Sequence, residues 1–321
     1  MARDMTSSDT AEAAISLPAM GSWPATRHAF DRQQRDALRA AAAAGRPLLV
    51  RGDPGTGKSQ LAHAAAVASR RLFLPLVVDS RTEASDLMWR YDAVARLADA
   101  HLSAVPGSGV TSGLDAGRYI LPGPLWWAFD WDSAMAQLAQ ARTGAEPPGR
   151  PPYAWEAKQG VVLLIDEIDK AEAELPNGLL EALGNGRFAV PLAGKVVHRP
   201  PGMPAPLVII TTNDERELPA AFLRRCLVLT LRLPAGPALQ THLVQRGELH
   251  FPEFAAQHKA VLQDAAAMLL QDREAAQANG LYASGLAEYL DLLRALQGIG
   301  GDPAEHLLRL RGFVFSKQPG A

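Results

Sequence analysis

The chain has 321 residues, 48% of them apolar, with 32 Lys and Arg residues against 34 Asp and Glu residues. This length suits two domains, and a net charge of −2 provides no global basic surface, which disfavours nucleic-acid binding. A single cysteine, Cys226, excludes an internal disulfide framework, and because neither a membrane-spanning apolar run nor a signal-peptide core is found, we expect a cytoplasmic protein without a membrane span.

The first elements along the chain are an N-terminal leader and a helix. Residues 1–29 are rich in Ala, Ser and Thr without sustained periodicity, which predicts a flexible leader. Asp31 and Gln34 occupy the positions of a capping box, and Gly45 follows an Ala-rich stretch, so these residues predict the start and the end of a helix. That helix leads into an apolar strand at residues 47–50.

The next stretch matches the pattern G-x-x-x-x-G-K-[ST] and lies between the strand 47–50 and an Ala-rich helix at 60–69. This setting indicates a phosphate-binding P-loop. Its glycines allow backbone N–H groups to face an anion, Lys58 reaches the outer phosphates, and the Ser59 hydroxyl is placed to bind Mg²⁺. The predicted nucleotide-binding residues are Gly52, Asp53, Pro54, Gly55, Thr56, Gly57, Lys58 and Ser59. The sequence therefore predicts that the chain binds a nucleoside triphosphate.

Residues 72–79 predict a second buried strand. Pro75 within it lacks a backbone N–H, so it is tolerable only at a sheet edge or in an irregular register. A helix is predicted over residues 85–102. Residues 104–124, which are rich in Gly, Ser and Pro, predict a loop or hairpin inserted between core elements.

An apolar run at residues 161–165 ends in two carboxylates, Asp166 and Glu167. Continuous apolar residues predict a central parallel strand whose carboxyl end faces a ligand crevice. Asp166 is the predicted Mg²⁺ ligand, and Glu167 is the predicted base that orients and deprotonates the attacking water. The alternative interpretation is that both carboxylates cap the helix that follows.

Three further residues are candidates for catalysis. Asn213 follows a strand at 207–212, where its amide could hydrogen-bond the γ-phosphate or the attacking water, although Asn is also a common strand-ending residue. A β-hairpin is predicted at 188–198, ahead of that strand. Arg224 and Arg225 are candidates for stabilising phosphate charge, and solvated surface charge is the alternative.

After Pro234 the pattern becomes helical, with helices predicted near 237–246, 252–277, 284–296 and 303–311. The predicted fold class is therefore α/β, a P-loop NTPase αβα sandwich with a parallel central sheet, followed by a small all-α lid domain. The predicted boundaries are 1–29 for the leader, 30–235 for the nucleotide-binding core and 236–321 for the lid.

The order of these features resembles that of the AAA+ ATPases, and within them the MoxR-like group, over roughly residues 30–300. The more specific matches are Gly123-Pro124-Leu125, the block LIDEIDKA at 164–171 and the block LPAAFLRR at 218–225. MoxR-like chains typically end the last block in Asp-Arg-Phe, so Arg225 takes the arginine position and Arg224 replaces the aspartate. The resemblance implies a ring, usually hexameric, in which Arg225 reaches the γ-phosphate of the neighbouring subunit.

The resemblance also implies cofactors and partners. ATP and Mg²⁺ are the expected cofactors and ADP the product, and MoxR-like proteins commonly work with partners carrying von Willebrand A domains. One motif departs from the family pattern. The family's lid normally presents Ser-Pro-Arg-Ala, whereas the matching residues here are Ser284-Gly285-Leu286-Ala287. The arginine that touches the nucleotide from within the same chain is therefore absent at this position.

These features favour an ATP-driven machine that remodels or activates a protein partner. The alternative is a nucleotide-controlled switch that assembles a signalling or defence complex and turns over slowly. Glu167 favours hydrolysis, whereas the missing lid arginine leaves room for the switch. A nucleic-acid motor is disfavoured by the charge balance, and a GTPase by the lack of an Asn-Lys-x-Asp motif.

Overall fold

The computed structural model describes residues 14–21, 23–103, 115–172, 174–281 and 283–315. These residues form two compact units. The first contains Gln33–Val50 and Ala62–Leu229, and the second contains Arg51–Leu61 with the described parts of 14–32 and 230–315. The start of the predicted leader and residues 104–114 of the predicted insertion lie outside the described residues. The domain boundaries given above stay predictions.

The described residues form eleven strands and thirteen α-helices. The strands are β1 (Ile15–Leu17), β2 (Thr26–His28), β3 (Leu48–Arg51), β4 (Leu72–Val77), β5 (Trp89–Tyr91), β6 (Ile120–Pro122), β7 (Val161–Asp166), β8 (Arg187–Val190), β9 (Lys195–His198), β10 (Leu207–Thr212) and β11 (Leu227–Thr230). The helices are α1 (Arg32–Ala44), α2 (Lys58–Ser69), α3 (Ala84–Met88), α4 (Ala93–Ser103), α5 (Pro124–Phe129), α6 (Trp131–Gln140), α7 (Glu174–Asn185), α8 (Ala220–Leu223), α9 (Pro237–His250), α10 (Pro252–Gln257), α11 (Lys259–Ala278), α12 (Leu286–Ile299) and α13 (Pro303–Val314).

A five-stranded parallel sheet with the order β11-β3-β10-β7-β4 forms the centre of the fold. Its inner strands are continuous apolar runs because helices cover both faces, and every residue of β10 is buried. The register pairs Leu207 with Val162 and Leu72 with Val161. The chain leaves β3, β10 and β7 at the same edge of the sheet. The predicted fold class, a P-loop α/β fold with an all-α lid, is confirmed.

Pro75 lies in β4, which is an edge strand of this sheet. Its Cα is in register with that of Leu164, and its side chain is exposed. An edge strand tolerates proline because the missing N–H can face away from the neighbouring strand. Of the two predicted alternatives for Pro75, a sheet edge and an irregular register, the structure shows the sheet edge.

The prediction of a single helix over residues 85–102 is wrong. Strand β5 divides this segment into α3 and α4, and it pairs antiparallel with β6, with Trp89 opposite Pro122. This pairing overrides the local helical pattern because it satisfies backbone groups from a segment far along the chain. A hairpin predicted at 188–198 is confirmed, since β8 and β9 pair antiparallel there.

Aromatic side chains form much of the core of the first unit. Trp126 on α5 is fully buried, and its ring lies 6.2 Å from that of Phe188. The Trp131 ring lies 4.8 Å from Trp127 and 4.9 Å from Trp155. Each such pair adds roughly 0.5–1.5 kcal/mol beyond area burial, so this cluster fixes α5 and α6 to each other, to β8 and to the segment at Trp155.

The second unit contains the C-terminal helices, whose core includes Leu243, Leu262, Tyr289 and Leu293. The Tyr289 hydroxyl donates to the carbonyl of Leu262 at 3.0 Å, and burial raises the pKa of Tyr289. A single helix predicted over 252–277 is wrong, because the chain breaks at His258 between α10 and α11. None of the described helices combines the length and apolar character that a membrane crossing requires.

An antiparallel ribbon of β1 and β2 belongs to the second unit and was not predicted from the sequence. Thr26 Oγ1 lies 3.0 Å from Nδ1 of His250, and Arg246 donates to the carbonyl of Ala29 at 3.2 Å. Burial lowers the pKa of His250 to about 4, so this ring is neutral at pH 7. These contacts attach the ribbon to α9.

Candidate functional site

The predicted phosphate loop lies in the second unit, between β3 and the first residue of α2, Lys58. Gly52 has φ 144°, and a Cβ there would lie 2.2 Å from the carbonyl oxygen of Leu231, so only glycine fits. Gly55 has φ 75° and Gly57 has φ 89°. Left-handed glycines let successive N–H groups turn toward one anion, and α2 begins directly after them at Lys58, where the positive end of a helix dipole favours negative charge. The loop therefore suits a phosphate group.

Lys58 is buried, with 7% of its surface exposed. Its ammonium donates to the carbonyls of Gly52 at 2.7 Å and Asp53 at 2.9 Å, so the side chain folds back over the loop. Thr56 Oγ1 also donates to the Asp53 carbonyl, at 2.9 Å. These bonds hold the loop closed around its own backbone and place a positive charge beside it.

Two parts of the C-terminal helices contact this loop within the second unit. A Cβ on Gly55 would lie 2.8 Å from the Ala287 methyl, which belongs to the first turn of α12. Arg273 on α11 lies with Nη2 3.6 Å from Asp53 Oδ2. Leu286, where the family pattern has arginine, is buried in the helical core instead.

The carboxylates predicted for catalysis lie in the first unit. Asp166 is the last residue of β7, and Glu167 follows it with φ 61°, a left-handed conformation that costs a residue with a side chain roughly 1 kcal/mol or more and is found at functional sites. The buried Thr211 hydroxyl accepts the Glu167 N–H at 2.9 Å and donates to Asp166 Oδ1. One threonine on β10 thus fixes both Asp166 and the residue that follows it, Glu167.

The donor chemistry of this set fits the predicted metal. Carboxylate and hydroxyl oxygens such as those of Asp166 and Ser59 are the hard ligands that Mg²⁺ prefers, and Mg²⁺ normally takes few protein ligands together with phosphate oxygens and water. Ser59 is the second residue of α2.

Glu167 has a cation next to it. Lys170 Nζ donates to Glu167 Oε2 at 2.6 Å, and this hydrogen bond raises the pKa of Lys170. Both side chains are partly exposed, at 42% for Lys170 and 32% for Glu167, so the pair is accessible to water. The predicted base is therefore engaged by Lys170 in this conformation.

Asp169 fixes the loop that carries Asn213. It is 3% exposed, and its Oδ2 accepts the N–H groups of Asn213 at 3.2 Å and Glu215 at 3.0 Å. Through these bonds the turn after β7 holds the chain that leaves β10. A depression of about 440 Å³ opens beside these residues, lined by Asp79, Ser80, Asp169, Lys170, Glu215 and Arg216.

We expect Asp169→Ala to lower the free energy of unfolding by about 1–3 kcal/mol, because it removes the buried carboxylate that accepts two partly buried backbone N–H groups. Asp169→Asn keeps one side-chain oxygen and should cost less. The measurement is urea unfolding followed by circular dichroism. Glu172→Ala is the matched control, since that side chain is 67% exposed. Equal stability of Asp169→Ala and the control would contradict the role given to Asp169.

Arg224 and Arg225 follow α8 and are exposed. Their backbone is fixed, because Arg46 donates to the carbonyl of Arg224 and, at 3.0 Å, to that of Arg225. The buried Cys226 anchors the next position, and burial raises the pKa of its thiol to about 11. Both guanidinium groups are thus carried on a fixed segment and directed outward to solvent.

Two residues of interest were missed in the sequence. Thr211 has a weak signal, a hydroxyl residue at the end of the otherwise apolar run 207–210. Arg273 has even less signal, since an arginine near the end of an amphipathic helix usually lies in solvent. Only the folded chain brings it to Asp53.

Comparison with known proteins places the chain in a family. The family model described as the AAA domain, dynein-related subfamily, matches residues 47–226. No curated protein matches the sequence significantly. Among solved structures, a candidate ATPase from Cytophaga hutchinsonii is similar at 12% identity and a TM-score of 0.38, covering 88% of this chain and 79% of that one.

Proposed function

The chain belongs to the AAA domain family, dynein-related subfamily, and from this membership we propose that it binds ATP and hydrolyses it to ADP and phosphate. The observation that carries the proposal is the phosphate loop. Its Gly-x-x-x-x-Gly-Lys-Ser residues adopt the strand–loop–helix arrangement, with left-handed glycines and the Lys58 ammonium folded over the loop. This arrangement suits a triphosphate.

Each predicted site residue has a role in this proposal. Lys58 compensates the phosphate charge, and Ser59 and Asp166 hold Mg²⁺, which would neutralise charge on the phosphates. Glu167 accepts a proton from the attacking water, and Asn213 orients that water or the γ-phosphate. The sheet order supports the roles of Asn213 and Glu167, because β10 and β7, which precede these two residues, are neighbours.

For the biological output, we propose a MoxR-like ring, most simply a hexamer, that uses ATP to remodel or activate a partner protein, including one with a von Willebrand A domain. The support is the match of residues 164–171 and 218–225 to the MoxR-like pattern. The exposed Arg224 and Arg225 also support assembly, because a fixed segment carrying outward cations suits a site completed by a neighbour.

A nucleotide-controlled assembly switch is the second candidate, and the Lys170–Glu167 ion pair favours it. A base held by a cation must be released before it can accept a proton, which makes hydrolysis slow until another event frees it. ATP turnover of the assembled protein decides between the two. Repeated turnover during the lifetime of one complex supports the machine, and dissociation after about one turnover supports the switch.

The test of nucleotide binding is Lys58→Ala. We expect ATP affinity to fall by about 100-fold or more, because a charge-assisted contact to the phosphates is lost and the loop loses its two carbonyl bonds. The measurement is competition against a fluorescent ATP analogue, with GTP as a second competitor. Lys158→Ala is the matched control, since that side chain is 74% exposed. ATP binding by Lys58→Ala at the parental affinity would remove the assignment.

A further inference from the structure

Arg273 is a mostly buried arginine that faces the phosphate loop. Its side chain is 13% exposed. Nη1 donates to the carbonyls of Ala283 and Ser284, both at 2.9 Å, in the segment just before α12. These two bonds fix the plane of the guanidinium, and Nη2 is left directed at Asp53. The arginine is therefore oriented by the lid itself.

Two cations converge on the same short segment of the loop. Lys58 Nζ binds the carbonyls of Gly52 and Asp53, and Arg273 Nη2 lies 3.6 Å from the Asp53 carboxylate. In the same unit, Ala287 packs on Gly55. A residue near the start of α12 and a residue near the end of α11 thus both contact the loop that we propose binds phosphate.

Asp53 interacts only weakly with this arginine. Its side chain is 69% exposed, and 3.6 Å is well beyond the roughly 2.7–2.9 Å of a charge-assisted hydrogen bond. An exposed pair of this kind contributes little because water screens it. A phosphate group offers the same guanidinium more charge and a geometry that matches its two parallel donors.

The geometry points to Arg273 as a phosphate-binding residue of the nucleotide site, held by Asp53 when the loop is empty and transferred to the outer phosphate when ATP binds. This inference rests on the proposed function. It supplies a cation from α11 in place of the one missing at Leu286 on α12. Because the same guanidinium holds the segment before α12, its transfer would report the bound nucleotide to the lid.

The test compares ATP and ADP affinities of Arg273→Gln, Arg273→Lys and Asp53→Asn. We expect Arg273→Gln to weaken ATP binding by about 10-fold to 100-fold and ADP binding by less than about 3-fold, because only ATP has the outer phosphate. Arg273→Lys should recover part of the loss, since it keeps the charge. Asp53→Asn should tighten ATP binding, because it removes the anion that competes with the phosphate for Arg273.

A contact between Arg273 and Asp53 that only holds the lid to the loop would give a different pattern of ATP and ADP affinities. If Asp53 and Arg273 only hold the lid to the loop, Asp53→Asn and Arg273→Gln weaken ATP and ADP binding together, and that result overturns the inference. Arg309→Gln is the matched control, since that arginine is 68% exposed in a surface pair with Glu305. Melting curves establish that each variant is folded. Wild-type protein that fails to bind ATP overturns the proposed function and this inference together, whereas normal wild-type binding with an unaffected Arg273→Gln overturns the inference alone.

Discussion

Replacing Glu167 with glutamine is expected to lower ATP turnover by about 10²–10⁴-fold while ATP still binds, the range for loss of a general base. Glutamine keeps the size of the side chain and the backbone N–H that Thr211 accepts, so the position of Asp166 should be retained. Glutamine, like glutamate, carries a side chain on the left-handed backbone of residue 167, so the substitution changes nothing in the backbone requirement there. Only the proton acceptor is removed.

The measurement is phosphate release at saturating ATP, together with ATP affinity for the same preparation. Glu172→Gln is the control, because it makes the same chemical change at an exposed position. Hydrolysis by Glu167→Gln at the parental rate would show that this residue is not the base. Asp166→Ala separates the two carboxylates, since it should weaken Mg²⁺-ATP binding itself.

Replacing Arg225 with alanine is expected to lower turnover by about 10³-fold or more with normal ATP affinity, the size of effect found when an arginine donated by a neighbour is lost. The side chain is exposed, while Arg46 fixes the backbone on which it sits, so the substitution should leave the fold intact. If the arginine acts in a neighbouring subunit, the specific activity of the wild type should rise with protein concentration.

The measurement is ATPase rate against protein concentration for the wild type, for Arg225→Ala and for mixtures of the two. Mixing should lower the activity more than dilution does, because each altered subunit leaves an adjacent site without its cation. Arg224→Ala is the matched variant and should be milder. A concentration-independent rate together with a fully active Arg225→Ala protein would remove the ring mechanism.

The parts of the fold that the sequence predicts are those whose signal is local. The phosphate loop is a contiguous pattern, and β7 and β10 are unbroken apolar runs with polar residues at their carboxyl ends. The segment 85–102 was predicted wrongly because β5 depends on pairing with β6, which is far away in the sequence. The ribbon of β1 and β2 was missed because its short strands show no sustained alternation.

The same distinction applies to the candidate site. Residue types at strand ends lead directly to Asp166, Glu167 and Asn213, because the chemistry requires them there. The contacts that orient them cannot be read from spacing: Thr211 reaches Asp166 across 45 positions, and Arg273 comes to Asp53 from a different part of the chain. Such contacts depend on which strands and helices become neighbours, and that is decided by packing of the whole core.

Pro75 has a consequence for assembly. The outer side of β4 would otherwise present a row of free N–H and C=O groups, on which a strand from another chain could be added. The pyrrolidine ring interrupts that row in the middle of the strand, where it removes a donor and introduces bulk. Edge-to-edge polymerisation through β4 is therefore blocked. Association at this edge of the sheet must therefore use side chains, which can separate again, rather than extension of the hydrogen-bonded sheet beyond β4.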